Sequence, residues 1–126
     1  MGHVEEIKDL LENFLTWNEI LACMVAKKGG EGIIPDTSNF SSEIFSLWDK
    51  LQSVIDYEFN IIEEFHEYGL GEIIFRLYDY EVYHYVIEGS DTALIAVTHR
   101  NANRGIIEVE LESMRDKITD IMNKKE

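Results

Sequence analysis

At 126 residues, 45% of them hydrophobic and 11% aromatic, the chain has enough apolar material for one packed domain and does not have the composition of a disordered tail. Its formal charge of −14 works against nucleic-acid phosphates and anionic lipid surfaces, which attract clustered Lys and Arg, so protein or small-ligand partners are expected. Cys23 is the only cysteine; it lies inside the apolar run Ile20–Ala26 and supports neither a disulfide framework nor a thiolate metal site.

No stretch approaches about 20 consecutive apolar residues. Glu5 and Glu6 stand where a secretory leader would be basic, so a cytoplasmic location without membrane insertion is expected. From Val4, the positions Ile7, Leu11 and Phe14, with Leu10 and Leu15, draw one apolar helical stripe opposite Glu5, Glu6, Lys8, Asp9 and Glu12. Ile20–Ala26 is too short for a helix and reads as a strand. The turn Lys27–Gly32 then leads to a brief second strand at Ile33-Ile34-Pro35, where the proline suits a sheet edge. A loop at Asp36–Asn39 precedes a long helix, capped by Ser41 or Ser42 and stopped at Tyr68 by Gly69.

Three strands follow at the spacing of an antiparallel meander: Glu72–Tyr78, Val82–Glu88 and Thr92–Thr98, with Asp79-Tyr80-Glu81 and Gly89-Ser90-Asp91 between them. The unbroken run Leu94–Val97 predicts a central strand covered on both faces. Asn103 is then placed as an N-cap for a last helix with Ile107, Leu111, Met114, Ile118 and Ile121 on one stripe. Gly105, just inside that helix, costs about 1 kcal/mol relative to alanine, which predicts a close backbone approach. The predicted order is α-β-β-α-β-β-β-α, an α+β (α/β) arrangement in one unit over residues 1–126 with its core at about 4–122.

The long helix is apolar over more of its circumference than a sheet alone can cover. At 100° per residue with Ile44 as zero, its apolar positions fall in an arc of about 200° that runs from Ile61 to Phe45. Phe45, Trp48 and Phe59 on one flank, with Ile55, therefore call for a second surface: a partner chain, or the first helix or the loop Asp36–Phe40 folded back over them. With Ile74, Arg76 and Tyr78 on the third strand, these residues are the candidate dimer interface. Asp49 and Asp56 lie on the polar arc of the helix and are candidate partner contacts.

Recognisable catalytic chemistry is missing. Lys27–Gly32 is not followed by the Gly-Lys-Ser/Thr and helix of a phosphate loop, and His66 has no second histidine four residues on for a zinc helix. His84, between Tyr83 and Tyr85, reads as a partly buried strand residue with an ordinary hydrogen bond. His99, Arg100 and Arg104 gather cations beside a helix N-terminus and offer an anion or an acidic partner a place to bind, unless the chain's own carboxylates take them. No cofactor or metal site is expected.

The element order, the small-residue turn ending at Gly32, the Leu70-Gly71-Glu72 entry to the third strand, and Asn101-Ala102-Asn103-Arg104-Gly105 before a Leu/Ile-rich helix resemble the roadblock/dynein light-chain family over about Val4–Met122. The resemblance implies a five-stranded antiparallel sheet with one long helix on one face and two on the other. It also implies a non-enzymatic dimer, of this chain with itself or with a paralogue, that regulates or scaffolds a Ras-like small GTPase. Two alternatives stand beside it. One is an adaptor of a motor or signalling complex without GTPase contact; the other is a small-ligand sensor whose pocket is lined by residues such as Tyr83, Tyr85 and Cys23. The chain departs from the family in the bulk of Phe45, Trp48 and Phe59 and in the basic pair His99-Arg100.

Overall fold

The structure, a computed structural model, describes residues 2–30, 32–38, 40–88 and 90–124. Glu31, Asn39 and Gly89, which the sequence assigns to turns and a loop, lie outside the described residues. The described elements are α1 (Gly2–Phe14), β1 (Ile20–Lys27), α2 (Ser42–Gln52), α3 (Ile55–Glu64), a 3-10 turn (His66–Tyr68), β2 (Glu72–Arg76), β3 (Tyr80–Ile87), β4 (Thr92–His99) and α4 (Arg104–Asn123). The strands form one antiparallel sheet in the order β1-β4-β3-β2.

Strand β4 lies between β1 and β3 and is buried from Ala93 to Thr98, as its unbroken apolar run predicts. Side-chain alternation divides the sheet between two cores. Cys23, Val25, Tyr83, Tyr85, Leu94 and Ala96 pack against α1 and α4. Ala22, Met24, Val82, Ile95 and Val97 pack against Ile44, Trp48, Leu51, Ile55 and Phe59 of α2 and α3.

The sheet has four strands among the described residues, not five. Ile33 and Val25 exchange backbone hydrogen bonds of 3.0 and 2.8 Å, and this single bridge is all that forms of the expected second strand. Continuing the antiparallel register would set Pro35 opposite Cys23, and proline has no N–H with which to extend the ladder. The bridge depends on Gly32. A Cβ there would lie 2.2 Å from the Val25 carbonyl oxygen and 2.7 Å from Met24 Cε, so the close backbone approach expected at Gly105 occurs at Gly32 instead. A Cβ on Gly105 would meet only Asn103 Oδ1, at 3.4 Å.

The single long helix expected from Ser42 to Tyr68 is broken. Ser41 caps α2, its Oγ accepting the Ile44 N–H at 3.2 Å. At the other end, the Ser53 hydroxyl and N–H both donate to the Lys50 carbonyl, at 2.7 and 3.2 Å. That carbonyl is the one the Val54 N–H would use in an unbroken helix; Val54 donates to Leu51 instead, at 3.0 Å. The chain restarts as α3, tightens into the 3-10 turn and stops where Gly69 adopts φ +87°, a left-handed conformation suited to glycine. Strand β2 ends at Arg76, short of Tyr78, because the Leu77 N–H donates to the Tyr80 carbonyl (2.8 Å) and closes the turn into β3.

At the far end of the chain, Asn103 caps α4 by accepting the Ile106 N–H at 3.2 Å, and the stripe from Ile107 to Ile121 is buried as its spacing predicts. No described helix is long and apolar enough to cross a membrane.

Candidate functional site

Trp48, Ile55 and Phe59 belong to the protein's own core and are not free to meet a partner. Of the covers considered for them, the Asp36–Phe40 segment contributes: Phe40 stands edge-on to Trp48 with ring centroids 6.3 Å apart, and it also touches Phe45 at 5.6 Å. Phe45 itself stays exposed.

The apolar surface left open lies on the other side of α3. Val54, Tyr57, Ile61, Phe65 and Tyr68 recur at helical spacing, and Tyr57, Ile61 and Tyr68 are 70%, 45% and 84% exposed. The buried positions Ile55, Glu58, Phe59 and Ile62 alternate with them, so one short helix is apolar on two faces. The apolar arc read from the sequence contains Val54, Ile61 and Phe65 but neither Tyr57 nor Tyr68, and it does not say which part of it the sheet will claim. Asp49 on α2 and Asp56 on α3 are both exposed, and Asp56 Oδ1 accepts the Gly29 N–H at 3.4 Å.

A second open feature is the outer edge of β2, which pairs only with β3 among the described residues and so presents unpaired backbone groups. Ile74 is half-buried against the α1/α4 core, Arg76 is exposed, and Tyr78 in the following turn is 96% exposed.

The cationic cluster divides. Arg104 pairs with the buried carboxylate of Glu81, which also takes Arg76 Nε at 2.8 Å and the Tyr83 hydroxyl proton at 3.0 Å. Burial raises the Glu81 carboxyl, but the hydrogen bonds from Arg104 and Tyr83 and the charges of Arg104 and Arg76 outweigh it and hold the group below the usual carboxylate range. Arg100 donates from Nη1 to the Leu77 carbonyl at 3.1 Å, and His99 stacks on Tyr80 with centroids 6.4 Å apart. The Tyr80 hydroxyl donates to Glu43, and that bond, with burial and the charges of Glu43 and Asp79, pushes the phenol up to about 12. Arg104 thus ties α4 to the sheet instead of waiting for an anion.

Tyr83, Tyr85 and Cys23, proposed from sequence as pocket residues, are wholly buried in the α1/α4 core. A cleft of about 860 Å³ lies elsewhere, between α3 and the start of β2, walled by Phe59, Ile62, Leu70 and Val86 and rimmed by carboxylates including Glu63 and Glu88. Among the described residues no group of three or more His, Cys, Asp or Glu side chains could hold a metal ion. His84 departs from its sequence reading: it is fully buried, and neither ring nitrogen has a hydrogen-bond partner.

No protein-family model matches the chain, and no curated protein matches it in sequence. Solved structures do match in shape. MglB of Myxococcus xanthus superposes with a TM-score of 0.70 at 14% identity, over 93% of this chain and 94% of that one. A Roadblock/LC7 domain from Streptomyces avermitilis gives 0.69 at 11% identity, over 93% and 98%. MglC of Myxococcus xanthus gives 0.60 at 18% identity, over 90% and 97%. With an α1/α4 layer and an α2/α3 layer on opposite faces of an antiparallel sheet, the chain has the fold of the roadblock proteins.

Proposed function

We propose that this protein is a non-catalytic regulator or scaffold that binds a Ras-like small GTPase and works as a pair with a second roadblock-type chain. The observation that carries the docking part is the exposed apolar ridge from Val54 to Tyr68. A monomer that left these side chains in water would expose aromatic surface with no stabilising return, which is the usual mark of an interaction site. The free edge of β2 beside Ile74 and Arg76 supports the same reading, since an unpaired edge is a template for a second chain. The GTPase part rests on the family resemblance of the sequence and on the shared fold.

Calorimetry tests the proposal, with a Ras-like GTPase of the same organism loaded with GTP or GDP. A regulator binds the two states with different affinity, because only one has the ordered switch loops. Charge reversal at the exposed Asp49 and Asp56 weakens that binding without disturbing pairing. Ile61→Asp acts on pairing instead, leaving a folded chain because Ile61 faces solvent. Equal affinity for both nucleotide states leaves a scaffold; no binding to any such GTPase removes the GTPase assignment.

A further inference from the structure

We infer that the chain seated on the α3 ridge is not a second copy of this protein but a different one, with an apolar ridge bordered by Lys or Arg. The inference rests on the docking role proposed above and names the partner's chemistry. Asn60, Glu64 and Glu67, four and three residues apart, form the solvent-facing border of the ridge, while its other border turns into the core through Glu58 and Ile62. Lys50 is the only Lys or Arg between Ser42 and Tyr68. Of the other carboxylates on α2 and α3, Glu63 is engaged by Lys28 and Glu43 by the Tyr80 hydroxyl. Glu64 and Glu67 have no ion-pair partner among the described residues.

A two-fold contact with antiparallel helices sets the same border of each copy side by side, so the acidic border of one chain would run along the acidic border of the other. Each copy also brings a net charge of −14. The apolar ridge favours burial whichever chain supplies the other half, whereas the border disfavours self-pairing and favours a basic counterpart.

The test uses a copy with a basic border, Asn60→Lys/Glu64→Lys/Glu67→Lys, as the basic partner, its fold checked by circular dichroism. Sedimentation equilibrium is measured for the wild type alone and for the wild type mixed with this variant, at low and high salt. The expected result is that the mixed pair forms at least about tenfold more tightly than the wild-type pair at low salt, with the gap narrowing at high salt as the charges are screened. Ile61→Asp in the wild-type chain abolishes the mixed pair. Wild type that pairs with itself as tightly as with the variant overturns the inference and leaves the docking role standing. Absence of pairing in both samples overturns the docking role and the inference together.

Discussion

His84 Nδ1 lies 3.4 Å from Glu58 Oε1 in the layer between β3 and α3, where the histidine is fully buried and the glutamate nearly so. Both ring nitrogens and Glu58 Oε2 lack hydrogen bonds, and the Phe59 ring stands edge-on to the imidazole with centroids 4.9 Å apart. The flanking register positions on β2 and β4 are Ile73 and Ile95. This is a polar pair in an apolar setting, joining the helix that carries the exposed ridge to the sheet. Removing either member leaves the other without a partner. Glu58→Leu and His84→Phe are each expected to cost about 3 kcal/mol, and the double variant much less than their sum. A urea-denaturation cycle measures this; strictly additive costs would mean that the two side chains do not interact.

The two glycines are expected to behave in opposite ways. Gly32→Ala forces a Cβ against the Val25 carbonyl and lowers stability by about 2 kcal/mol. Gly105→Ala has room and gains helix propensity, stabilising by up to about 1 kcal/mol. Calorimetric melting of both variants checks the contrast, and a melting loss for Gly105→Ala would restore a packing role to that position.

Acid should act through Glu81. Its carboxyl is held low in the folded protein by Arg104 and Tyr83 against the opposing effect of burial, so its contribution is complete above the unfolded carboxyl value of about 4.3 and is lost as the pH falls through the depressed folded value. Glu81→Gln is expected to cost about 2 kcal/mol at neutral pH, with the deficit closing as the solution is acidified. Urea midpoints across the acid range give the curve. A deficit that does not change with pH would show that the loss is one of shape and not of charge.

Cys23 should be chemically silent in the native state. Burial pushes its thiol far above the ordinary range, and Sγ contacts the Leu11 carbonyl at 3.5 Å. Labelling with an aromatic disulfide reagent is expected to proceed at the rate of unfolding, independent of reagent concentration when reagent is in excess. Fast labelling under native conditions would mean that α1 opens away from the sheet.

Where a feature depends on residues within a turn or two of each other, it was legible in the sequence. The Asn103 cap, the Gly69 stop, the buried run of β4 and the inward stripe of α4 follow from side-chain reach, left-handed backbone preference and periodicity, none of which needs a distant neighbour. The overall roadblock resemblance rested on the order of these local signals, and the shared fold agrees with it. The tertiary structure alone decided the rest. Ile33–Pro35 becomes a bridge because Pro35 comes opposite Cys23 only after β1 is placed, and Gly32 is indispensable only because Val25 lies beside it. The apolar arc of the middle helices showed that one sheet could not cover it. Which apolar side chains turned inward depended on the break at Ser53 and the path of Phe40, so Trp48 and Phe59 became core while Tyr57 and Ile61 became surface. Arg104 meets Glu81 across 23 positions of sequence, a distance over which composition and periodicity carry no information about contact.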